Sequence, residues 1–159
     1  MVVILLKMKA NLENVKSIDI PPDHTWVLDV KHSTGEEVRE RVTLSSAEVH
    51  DIPNSRGSAN FLVRWDGSKQ VSTITIQQVK NVTRLNYDAA DSGKFVPVVA
   101  FECRGVEPIR WYPATGYSVK SAKASFNDVD LSEDWVDYDQ EANEPVGIYE
   151  VEYEFQTYK

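Results

Sequence analysis

Few side chains in this sequence have the chemistry for catalysis or metal binding: one cysteine, Cys103, and three histidines, His24, His32 and His50. A thiolate nucleophile needs a base and an electropositive setting. No histidine lies within 50 residues of Cys103, which alternates with Phe101 along an apolar run. Cys103 therefore reads as a small buried hydrophobe. The histidines show no i, i+2 or i, i+4 pairing of the kind metal sites use.

The carboxylates are more numerous. Asp128-x-Asp130-x-Ser132-Glu133-Asp134 resembles the opening of a calcium loop, but the sixth position is Glu133, where a sharp turn needs glycine. The twelfth is Asp139, where a bidentate glutamate belongs. Asp134, Asp137 and Asp139 have the types for a two-carboxylate hydrolase. A hydrolase using this acidic third or Cys103 is the enzymatic alternative; a solvated acidic loop needs fewer assumptions. There is no G-x-S-x-G elbow, phosphate-binding glycine loop or H-E-x-x-H.

The charge is uneven. The chain has 159 residues and a net charge of −8. Residues 1–123 carry 16 basic and 14 acidic side chains; residues 124–159 carry eleven acidic ones against Lys159 alone. No basic stripe is visible, so nucleic acid is a poor partner. The acidic third reads as a solubilising face or a docking surface for a basic protein. A single cysteine excludes a disulfide framework and a four-cysteine zinc site. No apolar run approaches the length of a membrane span, and Val2–Leu6, broken by Lys7 and Lys9, lacks the pattern of a signal peptide.

The elements that must position these groups have a period of two. Val2, Ile4, Leu6 and Met8 alternate with Lys7 and Lys9; Trp26, Leu28 and Val30 alternate with Asp29 and Lys31. Val38, Val42 and Leu44 oppose Arg39, Arg41 and Thr43, and Tyr149, Val151, Tyr153 and Phe155 oppose Glu150, Glu152 and Glu154. The glutamate row would repel itself without basic residues across the ladder, and it would guard an open edge. Val71–Ile76 is rich in β-branched residues and Val96–Phe101 reads as a strand buried on both faces. Asp66-Gly67, between two such runs, predicts a tight hairpin with positive φ at its centre. Only Asp134–Ala142 suggests a short helical turn. Eight to ten short antiparallel strands predict an all-β sandwich or partly open barrel, a single β domain over 1–159.

Several strings together resemble one family: Leu12-Glu13-Asn14, Arg56-Gly57-Ser58-Ala59, Phe101-Glu102-Cys103-Arg104-Gly105-Val106-Glu107-Pro108, Asp134-Trp135-Val136-Asp137-Tyr138-Asp139 and Val146-Gly147-Ile148-Tyr149-Glu150-Val151. In this order and spacing the sequence is similar to the eukaryotic CXXC-motif-containing zinc-binding proteins, over about residues 1–155. The resemblance implies an all-β fold, a small zinc-ribbon element in the first half (here about 32–68) and no established catalytic activity. It also implies two CxxC pairs, the first falling on Lys31–Glu36, near His32 and Thr34, and the second on Trp65 and Ser68. None of these positions is cysteine, so the ligand set is degenerate.

The expectation is thus a cytoplasmic or nuclear monomer that binds another protein, with no cofactor, metal, nucleic acid or membrane. A remnant of a metal-handling protein is a further alternative. Aromatic and arginine side chains concentrate binding energy at interfaces, which nominates Arg104, Glu107, Trp111, Asp134, Trp135 and Tyr138, with Arg110 beside them. Turn chemistry at Ser33-Thr34-Gly35 and Asp66-Gly67, with burial of Trp65, is expected to take over what a metal does in such a ribbon.

Overall fold

A computed structural model describes residues 1–159 as fifteen strands and one 3₁₀ turn, Ala89–Asp91. The largest sheet has six antiparallel strands and curls into a half barrel. At its centre lies β1 (Val2–Glu13), flanked by β10 (Val96–Arg104) and β15 (Glu144–Tyr158). Beyond β15 comes β14 (Trp135–Asp139), and beyond β10 come β8 (Ser72–Gln77) and β7 (Phe61–Val63). A three-stranded sheet has β3 (Trp26–His32) between β11 (Val106–Tyr112) and β4 (Val38–Leu44). A four-stranded sheet runs β13 (Ser125–Val129), β12 (Tyr117–Ser121), β2 (Val15–Asp19) and β9 (Asn86–Asp88). A two-stranded ribbon joins β5 (His50–Asp51) to β6 (Ser58–Ala59). No helix is long and apolar enough to cross a membrane.

The expected all-β class holds, with more strands than expected, two of them long. One cluster of 28 buried side chains draws on all three larger sheets, from Leu6, Met8 and Phe101 to Trp26 and Leu28 and to Ile18, Tyr117 and Val119. β10 is buried on both faces, as its continuous apolar run predicts. On the outer side of β1, Lys7 and Lys9 face Glu154 and Glu152 across the ladder and pair with them, which relieves the glutamate row. β14 covers β15 only over Glu144–Ile148, so Tyr149–Tyr158 has a free outer edge.

Four local expectations are corrected. In β4, the register slips opposite Asp29 and Arg41 takes φ +51°. A bulge reverses the facing of what precedes it: Val38 is 41% exposed and Arg39, partner of Val30, packs on Trp65. In β15, Glu150 takes φ +54°; Val151, Tyr153 and Phe155 pack on the core, whereas Tyr149 turns out to donate its hydroxyl to Glu13. Residues 134–142 contain a strand and a turn, not helix. The β7–β8 hairpin is longer than a two-residue loop, since Val63 pairs with Ser72; its Trp65–Ser68 turn has positive φ at Gly67 alone.

Candidate functional site

Two hairpin tips meet where the resemblance places the metal ribbon. The β3–β4 tip closes with Gly35 N–H donating to the His32 carbonyl and His32 N–H to that of Glu37. The β7–β8 tip closes with Ser68 N–H on the Trp65 carbonyl, Gly67 standing at φ +76°. The His32 ring stacks on Trp65, centroids 5.2 Å apart and planes 23° from parallel. The Arg39 guanidinium lies 5.4 Å from the centre of the Trp65 indole. Arg39 also donates through Nε to Glu37 (3.1 Å), and Glu37 accepts the Asp66 N–H (3.2 Å), tying one tip to the other. The Arg39 bond holds the Glu37 carboxyl below its usual range. Trp65 Nε1 donates to Ser72 Oγ (3.1 Å), which donates to the Gly105 carbonyl (3.0 Å).

These residues do not fit a zinc ion. Tetrahedral zinc takes four thiolate, imidazole or carboxylate donors. Trp65 offers no lone pair, Thr34 is exposed, Ser68 Oγ is spent on the Gln70 carbonyl and Glu37 is held by Arg39. No three His, Cys, Asp or Glu side chains converge anywhere in the chain, so His32 belongs to no set of metal donors. An indole, an imidazole and a guanidinium pack together where the resemblance places the ligand pairs.

The nominated interaction surface divides. Trp111 is 2% exposed, packed edge-on against Tyr153, and so belongs to the core. Its position on β11 points inward because it partners Leu28 of β3. Arg104 and Glu107 lie where β1 begins, with Val2 opposite Cys103; they pair with Glu102 and Lys31. Asp134, Trp135 and Tyr138 lie where β1 ends, since Gly147 faces both Glu13 and Val136. A twelve-residue strand separates the two groups by roughly 35–40 Å. At the second place the edge strand β14 leaves Val136 65% and Tyr138 38% exposed. Trp135 is half-buried against Phe126, and Asp134 accepts the Glu150 N–H.

The candidate catalytic groups are engaged elsewhere. Burial, with Glu107 and Glu102 adding to it, pushes the Cys103 thiol up to about 12, and the thiol donates to the Phe101 carbonyl. Asp139 is closed off from solvent and accepts from Ser121 Oγ, Lys123 N–H and Ala142 N–H; these bonds, the Ser121 one first, hold its carboxyl low. Asp130 accepts from the Ser132 N–H. With Asp134 on the Glu150 N–H, these carboxylates serve separate backbone donors and do not converge. His24 is buried between Trp26 and Tyr117, and burial lowers its pKa to about 4. His50 is exposed on β5.

One cluster escaped sequence reasoning. Asp29, Arg41, Arg110 and Tyr112 meet on the outer face of the β11–β3–β4 sheet. Only the bulges beside Asp29 bring them together, and alternation along each strand carries no sign of those.

The whole chain has recognisable relatives. The sequence profile described as CXXC motif containing zinc binding protein, eukaryotic, matches residues 5–156. UPF0587 protein CG4646 of Drosophila melanogaster is 39% identical over 94% of each chain. The CXXC motif containing zinc binding protein of Homo sapiens is 32% identical over 96% of each. Among solved structures, a hypothetical protein from Plasmodium falciparum superposes with a TM-score of 0.90 at 33% identity, covering 98% of this chain and 100% of that one. The crystal structure of C1orf123 gives 0.85 at 31% identity, covering 98% and 99%.

Proposed function

This chain belongs to the eukaryotic family of CXXC motif containing zinc binding proteins, and from that premise we propose that it is a non-catalytic protein-interaction module that works without the metal its relatives are named for. The observation that carries this is the β14 edge. An open strand edge offers backbone donors and acceptors to an incoming strand. Here it also presents the apolar Val136 and Tyr138 beside Asp134 and Asp137, within a stretch that has no basic residue between 124 and 158. The partner that fits is a basic, extended protein segment. The absence of a metal donor set at the hairpin tips and the buried, high-pKa thiol of Cys103 support a role that draws on the surface alone. One buried free thiol suits a reducing compartment, so we place the protein in the cytoplasm, with the nucleus also open to it, and as a monomer.

The test is affinity capture from the native cell with the wild type, a Val136→Lys/Asp137→Lys variant and Cys103→Ser. The expected result is one or more basic proteins retained by wild type and Cys103→Ser and lost by the edge variant. Equal capture by all three baits would refute the edge, and loss with Cys103→Ser would favour thiol chemistry.

A further inference from the structure

Asp29 organises the outer face of the three-stranded sheet. Its side chain is buried, with Oδ1 accepting the Arg41 N–H and Oδ2 the Tyr112 hydroxyl, both at 2.9 Å. Both neighbouring strands slip beside it. The β3–β4 register shifts between Leu28 and Val30, and the β11–β3 register between Pro108 and Arg110. Bulges re-aim side chains and recur next to functional sites, and a left-handed φ at a residue other than glycine is a strain that such sites tolerate. Here the double slip carries two guanidiniums onto one ring. Arg41 stands 4.3 Å and Arg110 4.5 Å from the centre of Tyr112.

Packing alone does not account for the pair. One cation on a tyrosine face is a common contact; a second of like charge beside it is repulsive, and the one carboxylate in the cluster, Asp29, offsets a single charge while its oxygens take the Arg41 N–H and the Tyr112 hydroxyl. Arg39, Arg84 and Arg104 each hold a carboxylate. Arg41 and Arg110, both exposed, hold none, and their side chains make no hydrogen bond; Arg56 is alike in this but stacks on no ring, and Arg64 donates to the Lys69 carbonyl. In a chain with eight more acids than bases, two guanidiniums are kept together and unpaired.

The geometry points to Arg41, Tyr112 and Arg110 as a binding site for a carboxylate-rich peptide segment. A guanidinium presents a planar fork that matches a carboxylate, and stacking on the ring orders it in advance, so less freedom is lost on binding. The occupant is a short acidic peptide and not a polyanion. Lys31 is neutralised by Glu107 and Asp29 offsets one of the two guanidiniums, so the face keeps an excess of about one positive charge, enough for a short acidic segment, whereas nucleic acid needs a run of cations. Ile109, thrown outward by the bulge in β11, and Val38 on β4 are exposed beside the arginines and give such a peptide apolar contact. This surface is separate from the β14 edge, and the two proposals stand or fall independently.

The test titrates the full chain with acetylated, amidated hexaglutamate. Hexaglutamine and a phosphoserine peptide of equal length serve as comparisons, read by calorimetry and by the arginine Nε–H resonances. Saturable one-to-one binding of hexaglutamate is expected, with the Arg41 and Arg110 resonances moving together. Arg41→Gln and Arg110→Gln should each weaken it about tenfold or more, while Arg64→Gln should leave it unchanged. Arg110 has no left-handed backbone to protect, so its variant remains decisive should Arg41→Gln fold poorly. The proposal is overturned by no saturable binding, by equal binding of hexaglutamine, or by binding of the phosphoserine peptide alone. It is equally overturned if affinity survives in a variant carrying both Arg41→Gln and Arg110→Gln or falls as much in Arg64→Gln.

Discussion

The imidazole of His32 lies on the indole of Trp65, 5.2 Å between centroids, and so joins two hairpin tips that are far apart in sequence. Trp65 is almost fully buried and makes its own hydrogen bond through Ser72. Trp65→Ala should therefore cost about 3–5 kcal/mol by urea unfolding. A double-mutant cycle with His32→Ala should return a coupling of about 0.5–1.5 kcal/mol, the range for aromatic pairs. A coupling of zero would mean the two rings are neighbours without mutual stabilisation.

If this stack replaces a metal, metal should leave the protein indifferent. A ligand that binds only the folded state raises its melting temperature with concentration. Saturating zinc is expected to leave the thermal midpoint where a chelator leaves it, and elemental analysis to find far less than one zinc per chain. A stoichiometric ion, or a midpoint that climbs with zinc, would show a site that these residues do not explain.

The two glycines beside the stack should differ in importance. Gly67 takes φ +76° with open space around it, so Gly67→Val should cost only backbone strain, about 1–2 kcal/mol. Gly105, at φ +72°, would place a Cβ 2.5 Å from Ser72 Oγ and displace the hydroxyl that links Trp65 to the Gly105 carbonyl. Gly105→Ala should cost roughly 2–4 kcal/mol. Comparison of the two urea midpoints decides the matter, and the reverse order would contradict the linkage drawn through Ser72.

His24 makes stability depend on pH well above the acid limit. Burial lowers its pKa from 6.5 to about 4, with Asp23 opposing in part. The folded protein keeps it neutral down to about pH 4, while the unfolded chain takes up a proton below 6.5. Stability is therefore full above pH 6.5 and falls as pH drops towards 4, by roughly 3 kcal/mol at most. Asp130 and Asp139, held low by the Ser132 and Ser121 bonds, lose their contribution only below their ordinary value near 3.8. His24→Phe should flatten the profile between 6.5 and 4 and leave the steeper acid limb in place. Its ring retains the contact with Trp26 and Tyr117, and it removes the unpartnered Nε2. An unchanged profile would exclude His24 as its source.

Legibility in the sequence followed how local each feature is. The alternation of Ile4, Leu6 and Met8 against Lys7 and Lys9 (Val2, at the strand's start, is exposed), and the unbroken apolar run of β10, survive into the structure because each depends on one strand meeting one core. The pattern failed at Val38 and Arg39 and at Tyr149, next to the bulged Arg41 and Glu150. A bulge depends on a residue distant in sequence: the Asp29 carboxylate takes the Arg41 N–H, and the Asp134 carboxylate takes the Glu150 N–H. Trp111 was misplaced because an indole suits a core and an interface equally, and its position relative to Leu28 is a matter of register. The nearness of His32 and Trp65 was foreseeable only through the family pattern that puts ligand pairs at both places, since nothing local couples residues 32 and 65.

β1 lies between two strands that follow it far along the chain. It ends at Glu13, and β15, which covers it from Val3 to Glu13, begins only at Glu144. During synthesis one side of β1 stays bare until β15, beginning at Glu144, has left the ribosome. Contacts so distant in sequence make folding slow and leave a sticky strand exposed meanwhile. Lys7 and Lys9, which pair with β15 in the finished protein, punctuate that strand from the start and keep its outer face wetted while it waits for a partner not yet made.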